Sequence, residues 1–416
     1  MSASRCAYTL LLYALLPRAL LHLWWRARRQ PEYLEHVAER FGSYAFTANG
    51  PLIWIHAVSV GETRAAEPLI HALQREYPRH RILLTHMTPT GRETGIALFG
   101  DGVQRCYLPY DFPFAVERFL EHFKPACGIL LETEIWPNLI HACRNRSVPI
   151  YLVNARLSEK SSRRYARFRT FTATCLNELS AIAAQSRADA DRLQALGAAA
   201  VAVTGNLKFD VTPDAALVAQ GTAWREQWGR ARPVLLCAST REGEEELLLA
   251  ALRQLDMPAL LTVIVPRHPQ RFDEVAKEIE RAGIAYQRRS ANQPVAPETR
   301  IVLGDSMGEM FAYYAASDVV IIGGSLLPFG AQNLIEACAA GRPIVVGPHT
   351  YNFAEAAQLA LGAGVAIRVA DAVAAIAAAH ALLLDPARVQ RMGQAGLAFA
   401  RDHRGATAKA VALLKF

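Results

Sequence analysis

Residues 52–76, LIWIHAVSVGETRAAEPLIHALQRE, establish the architecture of this chain. The segment opens with a short apolar run, Leu52–Val58, which is typical of a buried strand. A loop containing Gly61 follows, and the apolar spacing over Ala65–Glu76 then predicts an amphipathic helix. A strand joined to a helix in this way is the unit from which parallel sheets with helical faces are built.

The same alternation of strand and helix continues along the chain in two series. After Leu52–Val58, the apolar runs of the first series are Ile82–Thr85, Gly128–Leu131, Ile150–Asn154 and Ala181–Gln185. Those of the second series are Val234–Ala238, Leu261–Val265, Arg300–Leu303, Val319–Gly323 and Pro343–Val346. We therefore predict an α/β protein with two Rossmann-like domains that face one another across a cleft, where the carboxyl ends of the strands bind ligands.

Turn-forming residues indicate where the two domains meet. The segment FDVTPDAALVAQG, residues 209–221, contains Asp210, Pro213 and Asp214 and has no strand pattern. The alanine-rich tail from Ala370 has helical periodicity and could pack on either domain. We predict a membrane-associated helix over residues 1–30, a first domain over 31–209, a linker over 210–216 and a second domain over 217–416.

Composition, charge and cysteine spacing exclude several classes of protein. The chain has 416 residues, of which 52% are hydrophobic and 20% charged, and this excludes a disordered, collagen-like or coiled-coil protein. The formal net charge of +7 is modest for this length. Seven cysteines stand far apart without a Cys-x-x-Cys pair, so neither a disulfide framework nor a zinc site is indicated, and a reducing compartment fits best.

The amino terminus has the composition of a membrane-facing helix. Residues 8–25, YTLLLYALLPRALLHLWW, are almost wholly apolar and end against Arg26, Arg28 and Arg29. A spanning helix needs about 20 apolar residues, whereas Arg18 and Pro17 interrupt this one, so the segment either spans the bilayer or lies in its interface. Because the cations follow the apolar run, we expect the soluble body on the cytoplasmic side. A buried amphipathic helix is the alternative.

Carboxylates follow two strands of the predicted first domain. Glu62 lies in the loop after Leu52–Val58, where it either serves chemistry or occupies the first turn of a helix, a position that the helix dipole favours. Glu132 and Glu134 follow the next strand, Gly128–Leu131, at a depth where charge is costly unless it is used or paired. We expect the three carboxylates to converge on one rim.

The second domain carries candidate groups for binding an anion. The segment 239–244, STREGE, follows a strand and opens a helix, as either a phosphate site or a capping motif does. Arg267 and His268 end the next strand and suit contact with a phosphate, although His268 alone would be structural. After the glycine pair of 323–325, GGS, we expect Asn333 and Glu336 to share a helix face, so that Glu336 could accept from ribose hydroxyls.

Several other site types are excluded or disfavoured. The chain has no Walker A motif, no G-x-G-x-x-G, no H-E-x-x-H and no G-x-S-x-G. Its one D-x-D, Asp189-Ala190-Asp191, is predicted to be a solvated helix face rather than a metal site. No basic run interleaved with aromatic residues marks a nucleic-acid-binding protein.

Short motifs along nearly the whole chain carry a family resemblance. They are HAVSVGE (56–62), MTPTG (87–91), ETEIWPN (132–138), NARLS (154–158), GNLKFD (205–210), PRHPQRF (266–272), GDSMGEM (304–310), GGS (323–325) and GPHTYNF (347–353). Together they resemble the transferases of 3-deoxy-D-manno-octulosonic acid (Kdo) in lipopolysaccharide biosynthesis. The resemblance implies a glycosyltransferase B fold and an inverting transfer of Kdo from CMP-Kdo to a lipid A precursor, lipid IVA, without a metal or other cofactor. It also implies contact with inner-membrane lipids on the cytoplasmic side.

The resemblance also implies roles for particular residues. Glu62 would be the general base, and Glu132 and Lys208 would stabilise the transition state. The residues that would contact CMP are Arg267, His268, Gly308, Glu309, Met310, Asn333, Leu334, Ile335 and Glu336. Two positions depart from the family pattern: His86 stands where a small hydroxyl residue is usual, and the segment 329–332, FGAQ, where paired glycines are frequent.

Three other functions remain open at this level. A glycosyltransferase of the same fold could use a UDP-linked donor at the membrane. A sugar-nucleotide-binding protein without catalysis could use the carboxylates only as helix caps. A Rossmann oxidoreductase is disfavoured, because the glycine fingerprint of dinucleotide binding is missing.

Overall fold

The computed structural model describes residues 3–28, 30–47 and 50–416, and it divides the chain into two compact units. Unit 1 comprises Met1–Asp210 and His403–Phe416, and unit 2 comprises Val211–Asp402. Of the predicted membrane segment, Met1, Ser2 and Arg29 lie outside the described residues.

Unit 1 has a parallel sheet, to which the described residues contribute seven strands in the order β3-β2-β1-β4-β5-β6-β7. The strands are β1 Leu52–His56, β2 Arg81–His86, β3 Gln104–Tyr107, β4 Cys127–Leu131, β5 Ile150–Ala155, β6 Ala181–Ala184 and β7 Val201–Val203. The helices are α1 Ala3–Ala27, α2 Val60–Glu76, α3 Pro89–Phe99, α4 Pro113–Phe123, α5 Pro137–Asn145, α6 Glu159–Ala166, α7 Arg169–Asn177 and α8 Arg187–Ala195. The predicted alternation of strands and helices is confirmed.

Both faces of this sheet are buried, as a parallel sheet requires. Trp54 of β1 packs against Phe119 of α4 with the ring centroids 5.0 Å apart. Ile53, its neighbour in sequence, points to the opposite face and packs in the cluster that contains Leu69 of α2. The near-continuous apolar character of the strands follows from this two-sided burial.

Unit 2 repeats the plan, again with seven parallel strands over its described residues, in the order β10-β11-β9-β8-β12-β13-β14. The strands are β8 Val234–Thr240, β9 Leu261–Pro266, β10 Tyr286–Arg288, β11 Ile301–Leu303, β12 Val319–Ile322, β13 Ile344–Val346 and β14 Ala366–Arg368. The helices are α9 Ala215–Trp228, α10 Glu244–Arg253, α11 Phe272–Arg281, α12 Met310–Ala316, α13 Ile335–Ala339, α14 Ala354–Gly362, α15 Ala372–Leu383 and α16 Pro386–His403.

The strand order creates one switch point in each unit. In unit 1 the chain leaves β1 to one side for β2 and later returns to the other side as β4. In unit 2, β8 has β9 on one side and β12 on the other. Crevices at such switch points, outside the carboxyl ends of the strands, are where open α/β sheets bind ligands.

The last residues of the chain differ from the predicted domain range of 217–416. Helix α17, Ala406–Leu413, packs in unit 1, where Ala410 and Val411 join the same core cluster as Ile53. Asp210 fixes this return, because its carboxylate accepts hydrogen bonds from the backbone N–H groups of Gly405 and Thr407. The tail of residues 403–416 therefore completes unit 1.

The last two residues of the predicted linker, residues 210–216, belong to helix α9. Asp214 caps α9, since its Oδ1 accepts from the N–H of Ala216 at 2.8 Å, and the helix begins at Ala215. The boundary between the units falls after Asp210, at the start of the predicted linker of residues 210–216.

Helix α1 is long and apolar enough to cross a membrane by length and composition. Its first turns nevertheless make polar contacts with unit 1: Arg5 pairs with Glu178 at 2.7 Å and Tyr8 donates to Asp111 at 3.0 Å. Its last turns pack on the short 3-10 turn that follows, through Leu23 and Ala27 against Tyr33. Helix α1 is thus held near both ends by the same unit.

Candidate active site

Glu62 lies at the switch point of unit 1, in the first turn of α2. Its carboxylate accepts hydrogen bonds from the N–H of Val58 at 2.7 Å and from the hydroxyl of Ser59 at 3.1 Å, so the side chain reaches back to the end of β1. Burial, together with the charges of Glu132 and Glu134, raises the pKa of Glu62 to about 7, although the Val58 hydrogen bond opposes this. A carboxyl group in this state can take up a proton near neutral pH.

Glu132 follows β4 on the other side of the switch point. Its Oε1 lies 3.4 Å from Nζ of Lys208, which sits in the 3-10 turn Leu207–Phe209. The backbone of Glu132 has a φ of +58°, a left-handed conformation that costs a non-glycine residue about 1–3 kcal/mol and is concentrated at functional sites. The structure thus brings together Glu132 and Lys208, which lie far apart in sequence.

Glu134 adds a third carboxylate to this crevice, next to a histidine. Its Oε2 accepts from the indole N–H of Trp136 at 2.7 Å and lies 4.0 Å from Nε2 of His56, the last residue of β1. Burial, together with His86, lowers the pKa of His56 to about 3, so this imidazole is neutral at physiological pH. The expected convergence of the carboxylates is seen, with His56 as a further polar member.

In unit 2, basic side chains follow β8 and β9. Arg267 donates from Nε to Oε1 of Gln332 at 3.1 Å, and the guanidinium of Arg241 lies 4.4 Å from the centre of the Phe329 ring. Burial and the charges of Arg241 and Arg267 lower the pKa of His268, which is thereby favoured in its neutral form. Two arginines and one histidine at neighbouring strand ends suit an anionic ligand.

The segment after β12 places its polar side chains in a hydrogen bond and its apolar side chains in the core. Asn333 lies just before α13 rather than on it, and its Nδ2 donates to Oε1 of Glu336 at 2.9 Å. Leu334 and Ile335 are buried in the core of unit 2. Their side chains are therefore packing groups, and a contact with a ligand would have to come from their backbone.

The remaining predicted donor contacts, residues 308–310, follow β11 and lead into α12. Gly308 has a φ of +80° and open space where a side chain would be. Glu309 accepts from Nε2 of Gln220 at 2.7 Å and from Arg289 at 2.9 Å, and Met310 starts the helix. Oε1 of Glu309 is thus held by Gln220 of α9 and by Arg289.

The D-x-D segment is not the solvated helix face that the sequence predicts. Asp189 is buried, accepts from the N–H of Leu157 at 2.8 Å and bonds with Ser186 at the start of α8. Asp191 is exposed and pairs with Arg187 at 2.9 Å. Within the described ranges, no group of three or more His, Cys, Asp or Glu side chains is arranged to hold a metal ion.

Sequence reasoning assigned no separate role to two residues that it quoted only within longer motifs, His56 in residues 56–62 and Glu244 in residues 239–244. His56 ends a strand, and Glu244 is completely buried at the start of α10, where its carboxylate accepts from the N–H of Gly324 at 2.6 Å. The available signal for Glu244 was a carboxylate at an apolar strand-helix junction. Its partner Gly324 lies 80 residues away in sequence, so no local pattern reveals that contact.

The two parallel-sheet units have the glycosyltransferase B fold. The MurG structure from Acinetobacter baumannii matches with a TM-score of 0.55 and 16% identity, covering 88% of this chain and 99% of that one. Residues 35–211 match the family described as 3-deoxy-D-manno-octulosonic-acid transferase (kdotransferase).

Two relatives extend this match to the full length. The 3-deoxy-D-manno-octulosonic acid transferase of Bordetella pertussis is 46% identical over 427 aligned residues, covering 99% of both chains. That of Haemophilus influenzae is 38% identical, covering 99% of this chain and 98% of the relative. The chain belongs to the Kdo transferase family of lipopolysaccharide biosynthesis, which sets aside the alternatives of a protein without catalysis and of an oxidoreductase.

Proposed function

We propose that this transferase moves Kdo from CMP-Kdo to a lipid A precursor, lipid IVA, with inversion at the anomeric carbon and without a metal ion. The acceptor hydroxyl oxygen bonds to the anomeric carbon while the bond from that carbon to the CMP phosphate oxygen breaks. The hydroxyl proton passes to Glu62, and the electron pair of the broken bond leaves with CMP. The single observation that carries the proposal is the Glu62 carboxyl at the switch point of unit 1, held by Val58 and Ser59 at the end of β1, with its pKa raised to about 7.

The neighbours of Glu62 support this role. Val58 N–H and Ser59 Oγ–H both donate to the carboxylate and so fix its orientation. Lys208, 3.4 Å from Glu132, supplies a positive charge beside the crevice that can stabilise negative charge developing on the substrates. Glu132, in turn, holds that ammonium group in place.

The basic groups of unit 2 are assigned to the donor. CMP departs as a phosphate monoester that is already stable as an anion, so arginine side chains can replace the metal ion that many UDP-sugar enzymes use. Arg241 and Arg267, which both flank the segment from Gly323 to Gln332, are suited to that phosphate. A UDP-linked donor is the alternative, which competition between CMP and UDP would decide.

An assay by mass spectrometry tests the proposal. The full chain in detergent or vesicles, given CMP-Kdo and a tetraacylated lipid A precursor, should yield a product heavier by Kdo and release CMP. The yield should persist in EDTA. Loss of product in EDTA that magnesium restores would contradict the metal-free mechanism, and absence of product from active, folded protein would contradict the substrate assignment.

The lipid acceptor requires the enzyme to work at a membrane, and helix α1 suits this. Leu10, Leu11, Leu21, Trp24 and Trp25 of α1 are all exposed in the folded chain. Arg28 lies 4.0 Å above the Trp24 ring, which places a cation beside an aromatic side chain, as at a bilayer surface. We propose that these residues enter the cytoplasmic leaflet of the inner membrane.

The contacts of α1 favour an orientation in the plane of the membrane. A helix of 25 residues is about 37 Å long, longer than the hydrocarbon core of about 30 Å. If α1 spanned the bilayer, Arg5 and Tyr8 would lie on the far side from Glu178 and Asp111, with which they are bonded. An interfacial helix keeps all of these contacts.

Cys6 provides a natural probe of this orientation. It is exposed, whereas the other six cysteines, all within the described residues, are buried. A membrane-impermeant maleimide should label Cys6 in inside-out vesicles but not in intact spheroplasts, with Cys6→Ser as the unlabelled control. Labelling from the periplasmic side would show that α1 spans the bilayer.

A further inference from the structure

A buried carboxylate organises the glycine-containing loop of unit 2. Glu244, the first residue of α10, is completely buried. Its Oε2 accepts from the N–H groups of Gly324 at 2.6 Å and Arg241 at 2.9 Å, and its Oε1 accepts from Leu326 at 2.9 Å. These backbone groups have no sheet or helix partner, so the carboxylate replaces regular structure in holding them.

The loop that Glu244 holds is closed at its base. The N–H of Gln332 donates to the carbonyl of Gly323 at 2.9 Å, and that of Ala331 to the carbonyl of Gly324. Gln332 also accepts from Arg267 at 3.1 Å. Gly323 lies so close to β8 that a Cβ there would come within 2.3 Å of the Ser239 carbonyl oxygen. The loop is therefore held on two sides, by Glu244 and by these contacts at its base.

We propose that Glu244 is the positioning residue of the donor site: its carboxylate fixes the loop of residues 324–327 and the backbone of Arg241, and thereby sets the places of Arg241 and Arg267. Glu244 itself does not touch the donor. The inference rests on the assignment of this crevice to CMP-Kdo, and it specifies how the anion is bound.

One consequence concerns which groups reach the donor phosphate. Backbone N–H groups in a turn form a ready site for an anion, but here those of Gly324 and Leu326 are already bonded to Glu244. These two N–H groups are therefore not available to the phosphate, and we assign that contact to the arginines at the strand ends. Binding of the donor should accordingly depend on Glu244 without contact to it.

The neighbouring residue offers a matched control. Glu245 is also completely buried, but it accepts from the hydroxyl of Thr240 and the guanidinium of Arg271, both at 2.7 Å, and is not bonded to the loop. Glu244→Gln and Glu245→Gln remove the same charge from adjacent buried sites. Each leaves a buried polar group poorly paired, so both should lower Tm.

The experiment compares the kinetic parameters of the two variants. Glu244→Gln should raise the KM for CMP-Kdo at least tenfold and weaken CMP binding in calorimetry to the same extent, with kcat and the acceptor KM little changed. Glu245→Gln should leave the donor KM within twofold. Equal effects of the two variants on the donor KM, or a wild-type donor KM in folded Glu244→Gln, would overturn the inference.

A second variant covers the case in which Glu244→Gln does not fold. Gly324→Ala keeps the buried charge but strains the loop, because Gly324 has a φ of +67°. It should raise the donor KM selectively, and an unchanged donor KM would overturn the inference. Failure of the wild-type chain to bind CMP at all would instead contradict the proposed function.

Discussion

The switch points of the two units have the same topology and opposite chemistry. In unit 1, the loops after β1 and β4 carry Glu62, Glu132 and Glu134, and burial, together with the charges of the other two carboxylates, raises the pKa of Glu62 to about 7. In unit 2, the equivalent loops after β8 and β12 carry Arg241 and the glycine segment.

The glutamates at the two strand-helix junctions differ in their burial and in their hydrogen-bond donors. Glu62 is half-buried, and its carboxylate accepts hydrogen bonds from Val58 and Ser59 at the end of β1. Glu244, at the corresponding strand-helix junction, is fully buried and saturated by backbone donors. The same residue type in the same topological position is thus bonded to the end of its own strand in unit 1 and to a distant loop in unit 2. The proposed roles, proton transfer for Glu62 and loop placement for Glu244, follow from these different donors.

The largest effect is expected from Glu62→Gln. The amide cannot accept the hydroxyl proton, so kcat should fall by about 10²- to 10⁴-fold while CMP affinity is unchanged. Glu76→Gln, an exposed position at the other end of α2, is the control and should keep wild-type turnover. A normal kcat in the Glu62→Gln enzyme would show that Glu62 is not the general base.

Arg267→Ala tests whether the basic side chains of unit 2 bind the donor phosphate. Loss of a charged partner for phosphate costs about 1.5–3 kcal/mol, so the donor KM should rise about 10- to 100-fold with the acceptor KM unchanged. Arg253→Ala, an exposed site at the end of α10, removes the same charge away from the strand ends and should have no effect. Equal donor KM values for the two variants would argue against the assignment.

Glu134→Gln should change the pH dependence rather than the maximal rate. Glu62 acts as a base only when deprotonated, so kcat/KM should rise with pH through about 7. Neutralising Glu134 removes a charge that raises the pKa of Glu62, so the rising limb should move to lower pH. Glu117→Gln, at a distant exposed pair with Arg146, serves as the control, and a shift to higher pH in Glu134→Gln would contradict the coupling.

The smallest effect is expected at Ala331, in the loop that departs from the family pattern. Its φ of +68° is unfavourable for alanine, so Ala331→Gly should raise the free energy of unfolding by about 1 kcal/mol or less. The same change at exposed Ala377, inside α15, should lower it by about 0.5–1 kcal/mol. Thermal denaturation measures the change in the free energy of unfolding for both variants. A destabilised Ala331→Gly variant would show that the loop needs the methyl group of Ala331.

Much of the fold could be predicted from the alternation of short apolar runs with helical periodicity. The central strands are long and buried on both faces, so their signal is strong, as in Leu52–His56. Short edge strands such as Val201–Val203 carry too little pattern to stand out. The return of the tail to unit 1 depends on hydrogen bonds between Asp210 and Gly405, which no local pattern contains.

The candidate site was predictable to the extent that strand ends meet at one edge of a sheet. This reasoning placed Glu62 and Glu132 in the same crevice, and the family resemblance added Lys208. It could not separate ligand contacts from packing in the motif after β12, where Leu334 and Ile335 prove to be buried. Side-chain direction there is set by the tertiary core, and the catalytic and binding roles of all these residues remain predictions.

The clasp that Asp210 forms with Gly405 and Thr407 makes unit 2 an insertion within unit 1, because the chain leaves unit 1 after Asp210 and comes back at His403. A fragment ending at Asp210 would lack α17 and uncover the apolar surface around Ile53, whereas residues 211–402 form unit 2 as one continuous stretch of chain. To divide this enzyme into parts, unit 2 can be taken as one segment, whereas unit 1 must be rebuilt by joining its two segments.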